Sequence, residues 1–538
     1  MKNFSTLIIF IAVLAVLVPF SGRAFFMDDW YYYDAAGKVF NQPLKPYEFF
    51  TDSENGRVKG WDTEKSPSSK NPPLMLYVLG ALIRVSGGNV RFVRIAMYLF
   101  PLLAALLMYA VAKRFTYSPM FATLLVISTP AFLVTANGMS PYMLVLPLIL
   151  GSVLAFDIGQ EKDSLKWFVL SGLLSGLACL ADYRALLIFP VMIIGLLIPR
   201  NDTSYIKNMF YYFAGGAVLI AWCAVNIMTY GKMHLPEVLM ADAPARASLL
   251  VRGISQSSFL GGALVFPLPA VLLALRHRRK VFVIFMLMVS VLFFLLFYKG
   301  LGGYNIMQSV MIAAFTYSGL LFVYHSVRFG RLDRESVFFS VWLLIVFAAM
   351  LKVVPTADAR SLLLLLPPAG ILYTRMTDYH VKNPKGAAVF KMLTVILVAG
   401  LGVSSLYSDY RQANVFREVS YELEDVRCTG KRCFSGDSSV GLHKYMTESG
   451  WKPLYKGTVL GYGDMVLLHN YALPVELNLG RKDIEHLKLA RKLEYNSRFP
   501  VRVMNRAGSA GFYSSVLGSL PFVFSQEPLE RFSLFKYE

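Results

Sequence analysis

Charged side chains are scarce in this chain: Asp, Glu, Lys and Arg make up 16% of its 538 residues, against about a quarter in an ordinary soluble domain. With 56% hydrophobic residues and a mean hydropathy of +0.50, that scarcity excludes a solvated globular fold and leaves a polytopic membrane protein. Cysteine is scarcer still, at four residues. Cys179 and Cys223 fall in apolar runs and read as packing residues. Cys428 and Cys433, in "CTGKRC", are followed by no second Cys or His pair at zinc-ligand spacing, so a disulfide is favoured over a metal pair, with free thiols as the third reading. No P-loop, G-x-G-x-x-G, H-E-x-x-H or G-x-S-x-G stands in a fitting context, which removes support for soluble nucleotide chemistry. No internal repeat or long low-complexity segment is evident. Acidic charge is in deficit, giving a formal net charge of +19. The Lys and Arg sit in short clusters between apolar runs, where they report topology and contact with anionic headgroups of membrane lipids rather than nucleic acid.

What the chain has is apolar length. Windows of about 20 residues, enough for a helix to cross the hydrocarbon, predict thirteen transmembrane helices near 5–22, 92–113, 119–136, 139–157, 166–182, 185–199, 208–229, 257–276, 280–298, 305–326, 335–353, 360–379 and 390–407. The first is read as uncleaved, because no convincing small-residue cleavage site follows it. The segment 71–87 is short, begins with two prolines and carries Arg84, so it reads as interfacial or re-entrant. With the N-terminus inside, Lys113/Arg114, Arg200/Lys207, "RHRRK" (276–280), "RFGRLDR" (328–334) and "HVKNPK" (380–385) all fall on the inner side. The outer side then receives the first loop (22–91), the loops 230–256, 299–304 and 354–360, and everything after 408. Residues 408–538 are more polar and broken by turn residues, which predicts a small extracytoplasmic α/β domain (408–538) after a transmembrane domain (1–407).

The outer segments hold the candidate chemistry. "GRAFFMDDWYYYDAAGKVF" (22–40) places Asp28 and Asp29 just beyond the first span, where acids facing a cavity are functional. The competing reading is an aromatic belt at headgroup level with two solvated acids. The same loop ends in "KNPPLMLYV", with Lys70 next to a proline-initiated helix start suited to an anion. "YKGLGGYN" adds Lys299 and Tyr304, "PTADARSLLLLLPP" adds Asp358 and Arg360, and "MADAPARASLLVRG" adds Asp242, Arg246 and Arg252. Each cation alone reads as an interface anchor. Together with an acid they form what transfer from a lipid-linked phosphate requires.

"DDWYYYDAA" (28–36) resembles the acidic start of the first outer loop in GT-C glycosyltransferases of the protein mannosyltransferase and lipid A aminoarabinose transferase superfamily. "NPPLMLYVLGALIRVSGGNVRFVRIAMYLFPLLAALLMYAVAKRF" is similar to that family's proline-initiated juxtamembrane helix and the Arg-bearing span after it. "SGLLSGLACLADYRALLIFPVMII" resembles its paired short helices, and "ARSLLLLLPPAGIL" its late Arg and Pro-Pro span. The resemblance runs over roughly residues 1–380. It implies a GT-C membrane fold, a polyprenyl-phosphate sugar donor, and an outward-facing site in a plasma membrane, here a bacterial inner membrane. The catalytic Asp of the family maps onto Asp28, and its second acid, commonly Glu, onto Asp29. Where the family carries Lys or His before the proline stands Asn71, with Lys70 one residue earlier. The family's late Lys and Tyr resemble Lys299 and Tyr304, and Arg360 competes for the same phosphate role.

A lipid phosphate held by cations leaves as a stable anion, so one base suffices where a glycosidase commonly needs two carboxylates. The expected reaction is inverting attack of an acceptor hydroxyl on the anomeric carbon, with Asp28 as base. Lys70, Asn71, Lys299, Tyr304 and Arg360 are the candidate phosphate ligands, and Arg246 and Arg252 stand next. Asp29 either orients the acceptor or joins in holding a divalent metal, whose other ligands the sequence does not name. The acceptor is a lipid, a glycan or a protein. The alternatives are a flippase or transporter of polyprenyl-linked glycans, for which symmetric halves with interrupted helices are missing, and a glycan polymerase or ligase.

Overall fold

The structure is a computed structural model that describes residues 2–53, 56–59, 71–197, 205–236, 248–275, 305–330, 333–353, 357–426, 428–435, 440–454, 458–469, 479 and 484–538, with a few isolated positions in 288–298. Six described helices are long and apolar enough to cross a membrane: Val90–Phe115, Tyr142–Lys162, Ile206–Tyr230, Ile306–Phe329, Arg334–Lys352 and Pro384–Glu422. Two bent pairs, Pro119–Ile127 with Pro130–Ala136 and Leu249–Leu264 with Pro267–Leu273, raise the number to eight if each pair is one span. Of the other five predicted helices, three correspond to the short apolar helices Phe4–Phe20, Leu165–Ala181 and Tyr183–Leu197, 360–379 contains the 15-residue helix Leu366–His380, and 280–298 lies almost wholly outside the described residues.

Local chemistry sets the breaks. Thr129 caps the second half of the first bent pair by accepting from the Phe132 N–H, and Pro130 fills the first helical position, where a missing N–H costs nothing. Val265, at φ +66°, makes the sharper 89° turn before Pro267. The predicted span 360–379 opens as a 3₁₀ turn, Ala359–Leu364, before the helix Leu366–His380. Leu362, Leu365, Leu366, Ala369, Ile371, Leu372 and Tyr373 in it are fully buried, so this segment is packed inside protein. The helix Leu74–Val85 is short and lies against Asp29–Val39.

Several predicted inner basic loops meet at one end of the bundle. Arg375 donates to the Phe115 carbonyl, Asp333 and Glu335, Arg114 pairs with Asp157 and Glu161, and Lys391 pairs with Asp378.

The C-terminal part forms a five-stranded mixed sheet. Two hairpin strands, β1 (Phe50–Ser53) and β2 (Gly56–Lys59), precede it in the first loop. The sheet uses β3 (Arg432–Ser435), β4 (Lys452–Leu454), β5 (Met465–His469), β6 (Leu487–Tyr495) and β11 (Glu530–Tyr537), in the order β4-β3-β5-β11-β6. β3 runs parallel to β4 and β5, and the helix Val440–Glu448 makes the crossover that a parallel pair requires. β7 (Val501–Arg502), β8 (Met504–Asn505), β9 (Ala510–Gly511) and β10 (Val523–Phe524) form two small antiparallel pairs. The predicted α/β character is therefore present.

The boundary between the two parts is no linker. Pro384–Glu422 is one helix of 39 residues that runs straight through 407/408. Beyond its apolar half it offers Gln412, whose amide donates to Glu530 Oε1 (2.8 Å), and Glu530 Oε2 lies 2.6 Å from His469 Nε2, all fully buried. One hydrophobic cluster extends from Ile9 to Leu534, so the C-terminal part and the helical bundle share a core.

The predicted disulfide is not formed: Cys428 and Cys433 are both free. Cys433 is buried in β3 among Leu454, Val466 and Leu468, while the Cys428 thiol turns to the Gly430 carbonyl (3.0 Å). The two side chains face different surroundings.

Candidate functional site

Asp28 is the N-cap of the helix Asp29–Val39, yet its carboxylate makes no capping hydrogen bond and its side chain is 41% exposed. The helix start favours a negative charge here, and the carboxylate remains available to a partner. That partner is Arg360, whose Nη1 donates to Asp28 Oδ2 at 2.9 Å.

Asp29 points the opposite way. It is buried, accepts from Arg23 Nη1 (2.5 Å) and from the Met139 N–H (2.8 Å), and faces Arg94 Nη2 at 3.7 Å. Arg23 continues to Asp409 on the long helix, with Nε to Oδ2 at 2.7 Å, and to the Tyr513 hydroxyl at 3.1 Å; Tyr513 in turn donates to Asp409 Oδ1 at 2.6 Å. Burial alone lowers the proton affinity of Arg23, but Asp409, Tyr513 and Asp29 outweigh it and hold the guanidinium well above its usual pKa. Burial, then Asp409, pushes the Tyr513 phenol well up, so it stays a donor. Asp29 is thus bound by two arginines, which opposes both the acceptor-orienting and the metal-holding roles expected of it. Among the described residues no group of three or more His, Cys, Asp or Glu converges.

Around Asp28 the structure discloses a symmetry that the sequence reading missed. Ala-Asp-Tyr-Arg-Ala-Leu-Leu (181–187) and Ala-Asp-Ala-Arg-Ser-Leu-Leu (357–363) share one pattern and one conformation. In each, an extended Asp caps a 3₁₀ turn by accepting from the N–H of the Arg two residues on, at 2.8 Å. Each Arg then folds back onto its own Asp: Arg184 Nε lies 2.9 Å from Asp182 Oδ1, and Arg360 Nε lies 3.1 Å from both Asp358 oxygens. Both guanidiniums lie over the ring of Tyr142, with Cζ at 4.2 Å for Arg184 and 4.8 Å for Arg360. The Tyr142 hydroxyl donates to Asp358 Oδ2 (3.1 Å), and Arg360 also lies 4.9 Å from the Tyr513 ring. A fixed carboxylate below and an aromatic face beside each Arg set its direction before any ligand arrives. Spacing alone could have found Arg184, because the Ala-Asp-x-Arg-x-Leu-Leu pattern occurs twice.

Of the predicted residues, the structure joins Asp28 and Arg360 directly. Lys70, Lys299, Tyr304, Asp242 and Arg246 lie outside the described residues. Asn71 is near but committed: its amide donates to the Tyr32 hydroxyl and its carbonyl accepts from Tyr47 (2.8 Å). Tyr32 stands beside Asp28, and burial first, then the Asp28 charge, pushes its phenol well above the usual range. Arg252 lies elsewhere, with Nη1 3.5 Å from the Lys352 carbonyl. Tyr513, from the C-terminal part, had no sequence signal of its own.

Residues 70–228 match the family model described as dolichyl-phosphate-mannose-protein mannosyltransferase. Tyr142, Asp182 and Arg184 fall inside this segment, and Asp28, Arg360 and Tyr513 outside it. A search of curated proteins found no match. Among solved structures the chain is similar to ArnT from Cupriavidus metallidurans in the apo state, at 14% identity over 87% of this chain and 93% of that one, with a TM-score of 0.42. It is also similar to the same protein bound to undecaprenyl phosphate, at 14% identity over 86% and 92%, with a TM-score of 0.44. At these scores the likeness carries no functional argument. The match over residues 70–228 supports the superfamily that the sequence resembles, the GT-C glycosyltransferases of the protein mannosyltransferase type.

Proposed function

We propose that the chain is an integral-membrane glycosyltransferase that moves a sugar from a polyprenyl-phosphate donor to an acceptor hydroxyl, with Asp28 as general base. The observation that carries this reading is the half-exposed Asp28 carboxylate touching a guanidinium that Asp358 already holds. In support, the matched family is described by a polyprenyl-phosphate sugar donor.

The chemistry follows from competition for Arg360 Nη1. While Arg360 binds Asp28, one oxygen of the carboxylate is occupied by the guanidinium. A donor phosphate arriving between Arg184 and Arg360 takes that hydrogen bond, and Asp28 is released to accept the acceptor's proton. The acceptor oxygen bonds to the anomeric carbon as the bond to the phosphate oxygen breaks. The electron pair leaves with the polyprenyl phosphate, on the two guanidiniums. Lys70, Lys299 and Tyr304 remain candidates for the same phosphate, and inversion is the expected outcome of a single displacement.

Thirteen spans, with the site and the C-terminal domain outside a bacterial inner membrane, complete the proposal. It draws support from the gathering of basic loops at one end of the bundle. The test is binding of undecaprenyl phosphate by native mass spectrometry. Arg184→Ala and Arg360→Ala should each weaken it roughly 10–150-fold, the loss of one charge-assisted hydrogen bond. Unchanged binding in both would move the phosphate to another site.

A further inference from the structure

A second cavity lies apart from the reaction site, between the start of the helix Ile306–Phe329 and the C-terminal part. It is a cleft of about 580 Å³ with a mainly polar lining. From the helix side come Asn305 and Gln308, locked in a reciprocal capping box. Gln308 Nε2 also donates to the Ala507 carbonyl (2.9 Å), which ties this wall to the turn between β8 and β9. The opposite wall presents the exposed amides Asn496 and Gln526 and the Phe524 ring, which is 39% exposed. Between them Arg531 is held by Glu494 (3.1 Å) and Glu527 (3.2 Å).

Each feature narrows the ligand. Two acids around one arginine disfavour an anion, so this is no second phosphate site. A polar lining disfavours an acyl chain. Planar amides and carboxylates offer paired donors and acceptors to adjacent hydroxyls, and an exposed ring in a polar wall provides an apolar face of the kind a pyranose C–H surface covers. The position is equally informative. The β8–β9 turn that lines the cleft leads to Phe512, whose carbonyl accepts from the Ala359 N–H (2.9 Å), and to Tyr513, which touches Arg23 and Arg360. One short segment therefore forms a wall of the cleft and a wall of the reaction site. Beside the cleft, Ile306, Met307 and Val310 are exposed at the start of an apolar helix, which sets it at the edge of the membrane.

We infer that this cleft binds saccharide and is the subsite for a glycan-bearing acceptor, an inference that rests on the glycosyltransferase reading above. Phe524 supplies the stacking face, and Asn496, Gln526 and Glu494 supply the hydroxyl contacts. The test applies the full-length protein in detergent to a printed array of neutral, amino and acidic oligosaccharides, with undecaprenyl phosphate binding measured on the same preparation. The wild type should retain a defined set of saccharides. Phe524→Ala and Gln526→Ala should each weaken that retention about tenfold while leaving undecaprenyl phosphate binding unchanged. Two separate substitutions keep the test valid if one of them fails to fold. No retained saccharide, or equal retention by the wild type and a folded variant, would overturn the inference. Retained saccharide with no binding of undecaprenyl phosphate would leave the cleft standing and refute the donor reading instead.

Discussion

Replacing Asp28 and Asp29 separately by asparagine should give opposite phenotypes, although the two residues are adjacent. Asp28 is 41% exposed, and Arg360, its ion-pair partner among the described residues, keeps Asp358 when Asp28 is neutralised. An ion pair this open contributes about 0–1 kcal/mol, so the Asp28→Asn protein should melt close to the wild type. Its turnover should fall roughly 10²–10⁴-fold, the share of a positioned general base, or about 2.7–5.4 kcal/mol in the barrier. Asp29 is buried between Arg23 and Arg94. Losing one member of a buried pair costs about 3–5 kcal/mol when the other is left alone. Arg23 still has Asp409 and Tyr513, which brings the expected cost nearer to one charged hydrogen bond, about 1.5–3 kcal/mol. The assay pairs thermal melting in detergent with release of polyprenyl phosphate from lipid-linked sugar extracted from native membranes. Near-normal turnover in Asp28→Asn would refute the base assignment, and an Asp29→Asn protein as stable as the wild type would refute the buried cluster.

Three further outcomes are expected. Gly441→Ala should lower the melting temperature and turnover together, because a Cβ there would stand 2.0 Å from the Phe25 carbonyl and push the C-terminal part off the loop that leads to Asp28; limited proteolysis of the C-terminal part follows the displacement, and an undisturbed digest would count against this docking. Tyr462, 79% exposed, should as Tyr462→Cys in a background lacking Cys428 and Cys433 react with an impermeant thiol reagent in intact cells; labelling only after permeabilisation would put the C-terminal part inside. All four thiols should titrate in unfolded, unreduced protein, since each is free in the structure, and a count of two would restore the disulfide.

Much of the architecture was written in composition and periodicity. Burying backbone polar groups in hydrocarbon forces helix formation, so apolar length alone located the bundle and the short helix at 74–85. Sign and spacing of charge grouped the basic loops. The change of composition after 408 marked the sheet, because strands with one exposed face alternate and turns demand Gly, Asn and Asp. Asp28 and Arg360 both stand out in the chain by residue type and position, although nothing in the sequence joins them.

Tertiary structure decided which way each side chain looks. A window of hydropathy does not distinguish lipid-facing from protein-facing leucine, so the packing of 360–379 inside the bundle is visible only in the structure. Asp28 and Asp29 are equivalent in one dimension; the helix that begins between them turns one carboxylate toward Arg360 and the other onto Arg23. Cys428 and Cys433 are close in sequence, yet strand pairing buries one and leaves the other at a turn. Arg184 and Tyr513 reach the same arginine-lined ring system from positions more than 300 residues apart. Sequence sets each segment's preference, while contacts between distant segments arise only when the shared core closes and fixes their orientation.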